Sequence, residues 1–323
     1  MQDYRNINKW TVHNQYPLLL ITSLIQDLGG AHIFSKLDVR WGYNNVHIKE
    51  GDEHKVAFKT QRGLYEPTVM FFGLTNSPVM FQAMMNHLYR DTITKHEAFG
   101  TFIRIYMDNI AIATRTPSLE AHVVAVTDVL TVTRDNSLYF KLSKCIFHVP
   151  SIDYLGVILE RGVTCMDPVK VAGVCDWPTL KNMREVRSFH GFCNFYRPFI
   201  KAFSQIALPL NALTKKDVTF AWNKEAQKAF DTLKVRIMDE PVLAHPNLTK
   251  QFELEVDTSG YAVGAVLMQR QEDGKQHPVG FYSATLNMAE RNYDIYDLVR
   301  HSQSTLTLVT APGWVTPQDQ GLL

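Results

Sequence analysis

Two aspartates occupy positions from which phosphoryl-transfer chemistry can be built. Asp38 closes residues 31–38 (AHIFSKLD), where apolar and polar side chains alternate with the period of a strand. Asp108 lies inside residues 101–114 (TFIRIYMDNIAIAT), between two apolar, β-rich runs. Asp and Asn tolerate the left-handed backbone of tight turns, so this segment reads as a hairpin with Asp108 and Asn109 at its tip. If the two strands are neighbours in one sheet, both carboxylates converge on one point. A two-metal centre needs such convergence, with ions roughly 3.5–4 Å apart binding the attacking hydroxyl and the leaving phosphate oxygens. Mg²⁺ is hard and prefers carboxylate oxygen. A third carboxylate usually completes the set, and the place to look for it, beside Asp108, holds Asn109. Each aspartate taken singly also reads as a cap or turn former, a common use of the residue.

The elements that must position these groups follow from local pattern. Residues 55–60 and 68–72 are strand candidates around the turn signal Gln61-Arg62-Gly63. Asn76-Ser77-Pro78 opens a helix, with Met80, Phe81, Met84, Met85 and Leu88 at helical spacing behind it. Residues 118–134 form a second helix, and residues 139–147 and 152–160 read as strands. After Asp167-Pro168 the pattern turns helical. Val186, Phe189, Cys193, Tyr196 and Ile200 mark one helix face, and Ala226, Phe230, Leu233 and Ile237 mark another within residues 223–238. Residues 251–269 then alternate and contain Gly, as hairpin strands do, residues 277–284 supply a further strand, and a domain boundary is placed near 241–246.

The chain has 323 residues, 46% hydrophobic and 20% charged, an ordinary globular balance with room for two or three domains. Net charge is +1, which neither supports nor excludes a nucleic-acid enzyme, because a groove can be basic on a neutral molecule. The four cysteines lack zinc-knuckle spacing and read as free or buried thiols in a reducing compartment. No apolar run reaches the ~20 residues of a membrane span, so a soluble, intracellular protein is expected. His87, His96, His122 and His148 are scattered without a metal-binding pattern. Trp177, Trp222, Phe192, Phe195 and Tyr196 read as core aromatics, with base stacking as the alternative. Lys215-Lys216-Asp217 and residues 141–144 read either as solvated charge or as phosphate contacts.

A series of motifs in fixed order narrows this. Residues 34–43 (FSKLDVRWGY), 72–78 (FGLTNSP) and 106–109 (YMDN) are followed by 142–145 (LSKC), 154–156 (YLG), 167–170 (DPVK) and 186–197 (VRSFHGFCNFYR). Together these resemble the reverse transcriptase of gypsy-type LTR retrotransposons, from Gln2 to about Asp297. The resemblance implies an α+β fold. It comprises a polymerase right-hand palm with partial fingers, a helical thumb/connection region, and an incomplete ribonuclease H-like α/β domain. The implied spans are 1–160 for fingers and palm, 161–243 for thumb and connection, 244–297 for the ribonuclease H-like part, and 298–323 for an unmatched tail. The implied activity is RNA-directed DNA synthesis with Mg²⁺ or Mn²⁺, two ions if active, on an RNA or DNA template with a DNA primer and deoxynucleoside triphosphates. No membrane partner is implied, and the family works in cytoplasmic particles and the nucleus.

Residue by residue, Asp38 matches the first metal-binding aspartate, with the carbonyl of Val39 as a further ligand. Asp108 matches the first aspartate of the Tyr-x-Asp-Asp hairpin, and Asn109 stands at the second. Tyr43 matches the aromatic residue under the incoming sugar, or else is a packed core ring. Phe72 and Gly73 match the loop lining the nucleotide pocket. Tyr154, Leu155 and Gly156 resemble the hairpin that grips the primer end, or else are ordinary strand packing. Asp3 and Arg5 match the edge of the fingers, and the basic triphosphate clamp of the family would precede Met1. In the ribonuclease H-like part, residues 253–257 (ELEVD) resemble the first strand, with Asp257 as the first metal ligand. Beyond 292–297 (NYDIYD) the family's catalytic glutamate is replaced by Leu298-Val299-Arg300-His301. The sequence therefore points to a weakened or inactive polymerase. The alternative is a non-catalytic retroelement remnant that binds nucleic acid or serves as an interaction module.

Overall fold

The structure is a computed structural model that describes residues 3–215, 218–239, 242–247, 249–259, 261–288 and 290. Contacts divide the chain into two units, Met1–Ile152 and Asp153–Leu323.

The first unit opens with the short helices α1 (Arg5–Trp10) and α2 (Ile21–Asp27) and the strand β1 (Ile33–Asp38). A small hairpin of β2 (Phe58–Thr60) and β3 (Gly63–Tyr65) follows. Then come α3 (Ser77–Leu88), α4 (Arg90–Glu97), β4 (Thr101–Tyr106), β5 (Asn109–Thr114), α5 (Leu119–Asp135) and β6 (Ile146–Val149). The main sheet has the order β4-β5-β1-β6 and its pairings are antiparallel. α3 begins with Pro78 in its first turn, where the missing N–H costs nothing, and α5 is capped by Ser118, whose Oγ accepts from Ala121 N at 3.3 Å. The core joins Leu37, Val39, Ile103, Ile105, Ile110 and Ile112 from the sheet side to Phe81, Met85, Tyr89, Val126 and Val129 from the helices. Each such side chain contributes roughly 1.5–3 kcal/mol on burial.

The second unit holds a four-stranded sheet of order β10-β9-β8-β7, led by β7 (Ser151–Tyr154), with β8 (Val157–Glu160), β9 (Val163–Met166) and β10 (Leu243–Ala244). Between β9 and β10 run the helices α6 (Pro168–Cys175), α7 (Met183–Phe195), α8 (Phe203–Ala212) and α9 (Lys224–Met238). Asp167, Asn182 and Asn223 cap α6, α7 and α9 through their side chains. At α7, the Glu185 carboxylate also accepts from Lys181 N at 2.7 Å and from Asn182 Nδ2 at 2.6 Å. A last antiparallel sheet is formed by β11 (Phe252–Thr258), β12 (Ala262–Arg270) and β13 (Gln276–Thr285).

Several expected strands are interrupted. Residues 68–72 make only an isolated bridge, His47 to Val69, because Pro67 precedes them and Gly73 follows in the left-handed region. Residues 55–60 begin as a 3₁₀ turn over Glu53–Val56, and residues 139–147 contain another at Leu142–Lys144. Residues 152–160 are two strands, with both central residues of the turn at positive φ, Leu155 at 48° and Gly156 at 94°. That is the backbone of a type I′ turn, whose twist matches the flanking strands. The aromatics of the second unit pack on one another: Trp177 lies 5.4 Å from Phe189, and Trp222 lies 6.0 Å from Phe230, ring centre to ring centre. Among the described residues no helix is long and apolar enough to cross a membrane.

Candidate active site at the strand-end aspartates

The sheet register brings Asp38 and Asp108 to one end of the first unit's sheet. Asp38, the last residue of β1, pairs with Asn109, the first residue of β5. Val39 N donates to the carbonyl of Asp108 at 2.7 Å, so the two acidic positions are tied through the backbone. The Asp38 side chain is only 10% exposed. A carboxylate so enclosed needs a cation or donors, and Lys144 supplies one, with Nζ 3.0 Å from Oδ2. That hydrogen bond, with the charges of Asp38 and Asp108, holds the Lys144 ammonium pKa above its ordinary value.

The hairpin tip differs from the expectation. Its two turn residues are Met107 and Asp108, and Asn109 already belongs to β5. Met107 carries the left-handed backbone, with φ 54°, and Asp108 does not. Positive φ at the first turn position alone is the pattern of a type II′ turn, where Gly is usual. A non-Gly residue there costs of order 1–3 kcal/mol and persists only where its surroundings impose it. Gln82 of α3, fully buried, imposes it. Its Oε1 accepts from Met107 N at 2.7 Å, and its Nε2 donates to Ile105 O at 3.0 Å and to Asn86 Oδ1 at 2.9 Å. One side-chain amide thus serves two backbone groups of the hairpin and fixes the direction in which Asp108 leaves it. The sequence reading missed Gln82. Its signal was a polar residue between Phe81 and Met85 on a helix face otherwise apolar.

Asn109 turns its Nδ2 toward Asp108 Oδ1, at 3.2 Å. It acts on Asp108 as a donor, so its amide supplies no charge to the site. The donor set at the sheet end is therefore oxygen: two carboxylates and backbone carbonyls, the chemistry a hard divalent ion accepts. The Lys144 ammonium on Asp38 shows that a cation is already accommodated there. The residues fit one divalent ion. Among the described residues no three Asp, Glu, His or Cys side chains gather as a metal set.

The other expected site residues distribute as follows. Tyr43 follows Asp38 in a 3₁₀ turn, and its ring lies 4.8 Å from Phe72 and 5.7 Å from Phe81. Burial first, then the charges of Asp108 and Tyr106, raises its phenol pKa. Phe72 is 70% exposed, so it forms an open wall beside the half-buried ring of Tyr43. Gly73 has φ 103°, and a Cβ there would meet Tyr4 at 3.3 Å. Val39 is buried in the core of the first unit. Tyr154, Leu155 and Gly156 lie in the second unit, where Gly156 O accepts from Tyr196 Oη at 2.9 Å. Asp257 is on β11 and lines a cavity of about 150 Å³ with Lys201, Glu255 and Gly264. The expected loss of a catalytic glutamate after residue 297, the tail 298–323, and Lys216-Asp217 lie outside the described residues.

A buried polar network under the sheet was also missed. His122 of α5 bonds Ser35 Oγ through Nε2 and Thr114 Oγ1 through Nδ1, each at 2.8 Å. Burial, with His148 nearby, pulls its pKa down to about 4. His96 pairs with Asp128 at 2.8 Å. Both histidines have structural partners.

Comparisons with known proteins bear on the family and the fold. The family described as reverse transcriptase (RNA-dependent DNA polymerase) matches residues 1–159, and the RNase H-like domain found in reverse transcriptase matches residues 222–302. The Transposon Tf2-7 and Tf2-3 polyproteins of Schizosaccharomyces pombe are each 38% identical over 297 residues, 91% of this chain. The chain spans 22% of the length of these relatives. A foamy viral protease-reverse transcriptase solved with double-stranded DNA superposes with a TM-score of 0.82 over 97% of this chain and 54% of that one. Its counterpart with an RNA/DNA hybrid gives 0.78 over 95% and 41%. Both are 18% identical and speak to the fold. The chain belongs to the reverse transcriptases, as the reverse transcriptase domain of a retrotransposon polyprotein joined to part of an RNase H-like domain.

Proposed function

We propose that this chain is the polymerase region of a gypsy-type LTR retrotransposon and that Asp38 and Asp108 are its metal-holding carboxylates. The observation that carries the reading is the register that sets Asp38 against Asn109 and ties Val39 to Asp108. Reverse transcriptases use divalent ions. Here Asp38, Asp108 and the carbonyl of Val39 would hold one. A bound ion supplies charge neutralisation at the reacting phosphate and favours the ionised primer hydroxyl. In the reaction the primer 3′-oxygen bonds the α-phosphorus of a deoxynucleoside triphosphate, and pyrophosphate leaves with the electrons of the broken P–O bond. Tyr43, backed by Phe81, sets a rigid floor under the sugar and excludes a 2′-hydroxyl by bulk. Phe72 and Gly73 line the nucleotide, and Tyr154, Leu155 and Gly156 meet the primer end. The template is RNA or DNA, held by backbone shape and charge. Asp257 on β11 stands where the first ribonuclease H metal ligand is expected.

Asn109 favours a second reading, in which the chain binds nucleic acid without extending a primer. Its amide satisfies Asp108 without adding charge, so the hairpin is stable but short of one negative group. Primer extension on a poly-adenylate template with Mg²⁺ or Mn²⁺ separates the two. Polymerase function predicts synthesis that Asp38→Ala abolishes and Asn109→Asp raises. Salt-dependent hybrid binding with no synthesis in either the natural chain or Asn109→Asp supports the remnant.

A further inference from the structure

We propose that Lys144 is a tethered counter-ion for Asp38, which a divalent ion must displace to enter the site. The inference rests on the reading of Asp38 and Asp108 as metal-holding carboxylates. Three observations support it. The Lys144 ammonium sits 3.0 Å from Asp38 Oδ2, on a side chain that is itself 55% exposed while its partner is 10% exposed. The enclosed partner needs the contact, whereas the lysine can leave for water at little cost. The lysine is also delivered from a fixed place. It ends the 3₁₀ turn Leu142–Lys144, and that turn is anchored to the aspartate's own backbone by Lys141 N donating to Asp38 O at 2.8 Å. Finally, one ammonium carries half the charge that Asp38 and Asp108 together present. The ion-free site is held in shape but remains net negative, so it still attracts a dication.

An ammonium and a dication on one carboxylate repel each other, so the lysine lowers apparent ion affinity while it preserves the empty site. The two effects have opposite signs, and a purely structural lysine would produce only one of them.

The test is Mn²⁺ binding to the full chain, read by the electron paramagnetic resonance signal of free Mn²⁺, with thermal melting in the presence of chelator. Lys144→Met is expected to bind Mn²⁺ on the order of tenfold more tightly and to melt lower without ion. Lys144→Arg keeps the charge and is expected to stay at the natural affinity, and Lys141→Met, one turn earlier, is expected to change neither reading. Lys144→Met binding Mn²⁺ with unchanged or weaker affinity, while Asp38→Asn loses binding, overturns the counter-ion role and leaves the metal site standing. Asp38→Asn binding Mn²⁺ as the natural chain does overturns both.

Discussion

Gln82 shows how one uncharged side chain can govern a charged one. It touches neither aspartate, yet it holds Met107 in the left-handed turn from which Asp108 projects. Gln82→Leu leaves the Met107 N–H and the Ile105 carbonyl without their buried partner, a loss of about 1–3 kcal/mol in urea denaturation. If the amide positions Asp108, the variant also weakens Mn²⁺ binding. Unchanged ion binding at reduced stability would leave Gln82 as a packing residue only. His122 sets a pH limit. Its folded pKa of about 4 lies below the ordinary value of 6.5, so between those two the unfolded chain binds more protons than the folded one. Its contribution is therefore complete above pH 6.5 and is lost as pH falls toward 4, by roughly 3 kcal/mol. His122→Asn should flatten that part of the stability profile, measured by denaturant midpoints at pH 7, 6 and 5. A profile equally steep in the variant would assign the acid loss to other groups.

At the scale of elements, turns control where functional groups emerge. In the second unit the β7–β8 turn needs two positive-φ residues, and a Cβ on Gly156 would meet Lys170 Nζ at 2.7 Å and the Phe195 ring at 3.2 Å. The lysine end can swing away, but the half-exposed ring rests against Tyr196 and an alanine at this positive φ is strained. Gly156→Ala is expected to cost about 1–3 kcal/mol, read as a lower urea midpoint with an unchanged slope. A neutral result would show that the turn relaxes to another type. The hairpin carrying Asp108 was legible in the sequence because two long β-rich runs bracket a polar pair. The tip was misplaced by one residue, since composition favours Asp-Asn over Met-Asp, and only the Gln82 bonds make Met107 acceptable at positive φ. The helix α8 (Phe203–Ala212) was not read at all, because Pro209 interrupts its pattern. The strand after Pro67 was read where backbone geometry allows only a bridge. Local propensity reports on segments: the turn at Met107 departs from it through Gln82, a side chain distant in sequence, whereas the other two departures come from prolines within or beside the segment.

For the whole molecule, family membership accounts for the order of motifs, and register accounts for the site. Asp38 and Asp108 are 70 residues apart in the chain yet adjacent through a backbone bond. Binding to an RNA·DNA hybrid should fall steeply as salt rises, as expected when lysines and arginines release counter-ions from phosphates. Asp38→Ala should leave that binding intact, because the carboxylate does not hold the duplex. The most direct test of the central claim is primer extension on an RNA template in Mg²⁺ with Asn109→Asp and with the double variant Asp38→Ala/Asn109→Asp. The account predicts that restoring the acidic pair raises synthesis above that of the natural chain and that removing Asp38 eliminates it. Synthesis that persists without Asp38 would show that the reacting phosphate is handled elsewhere.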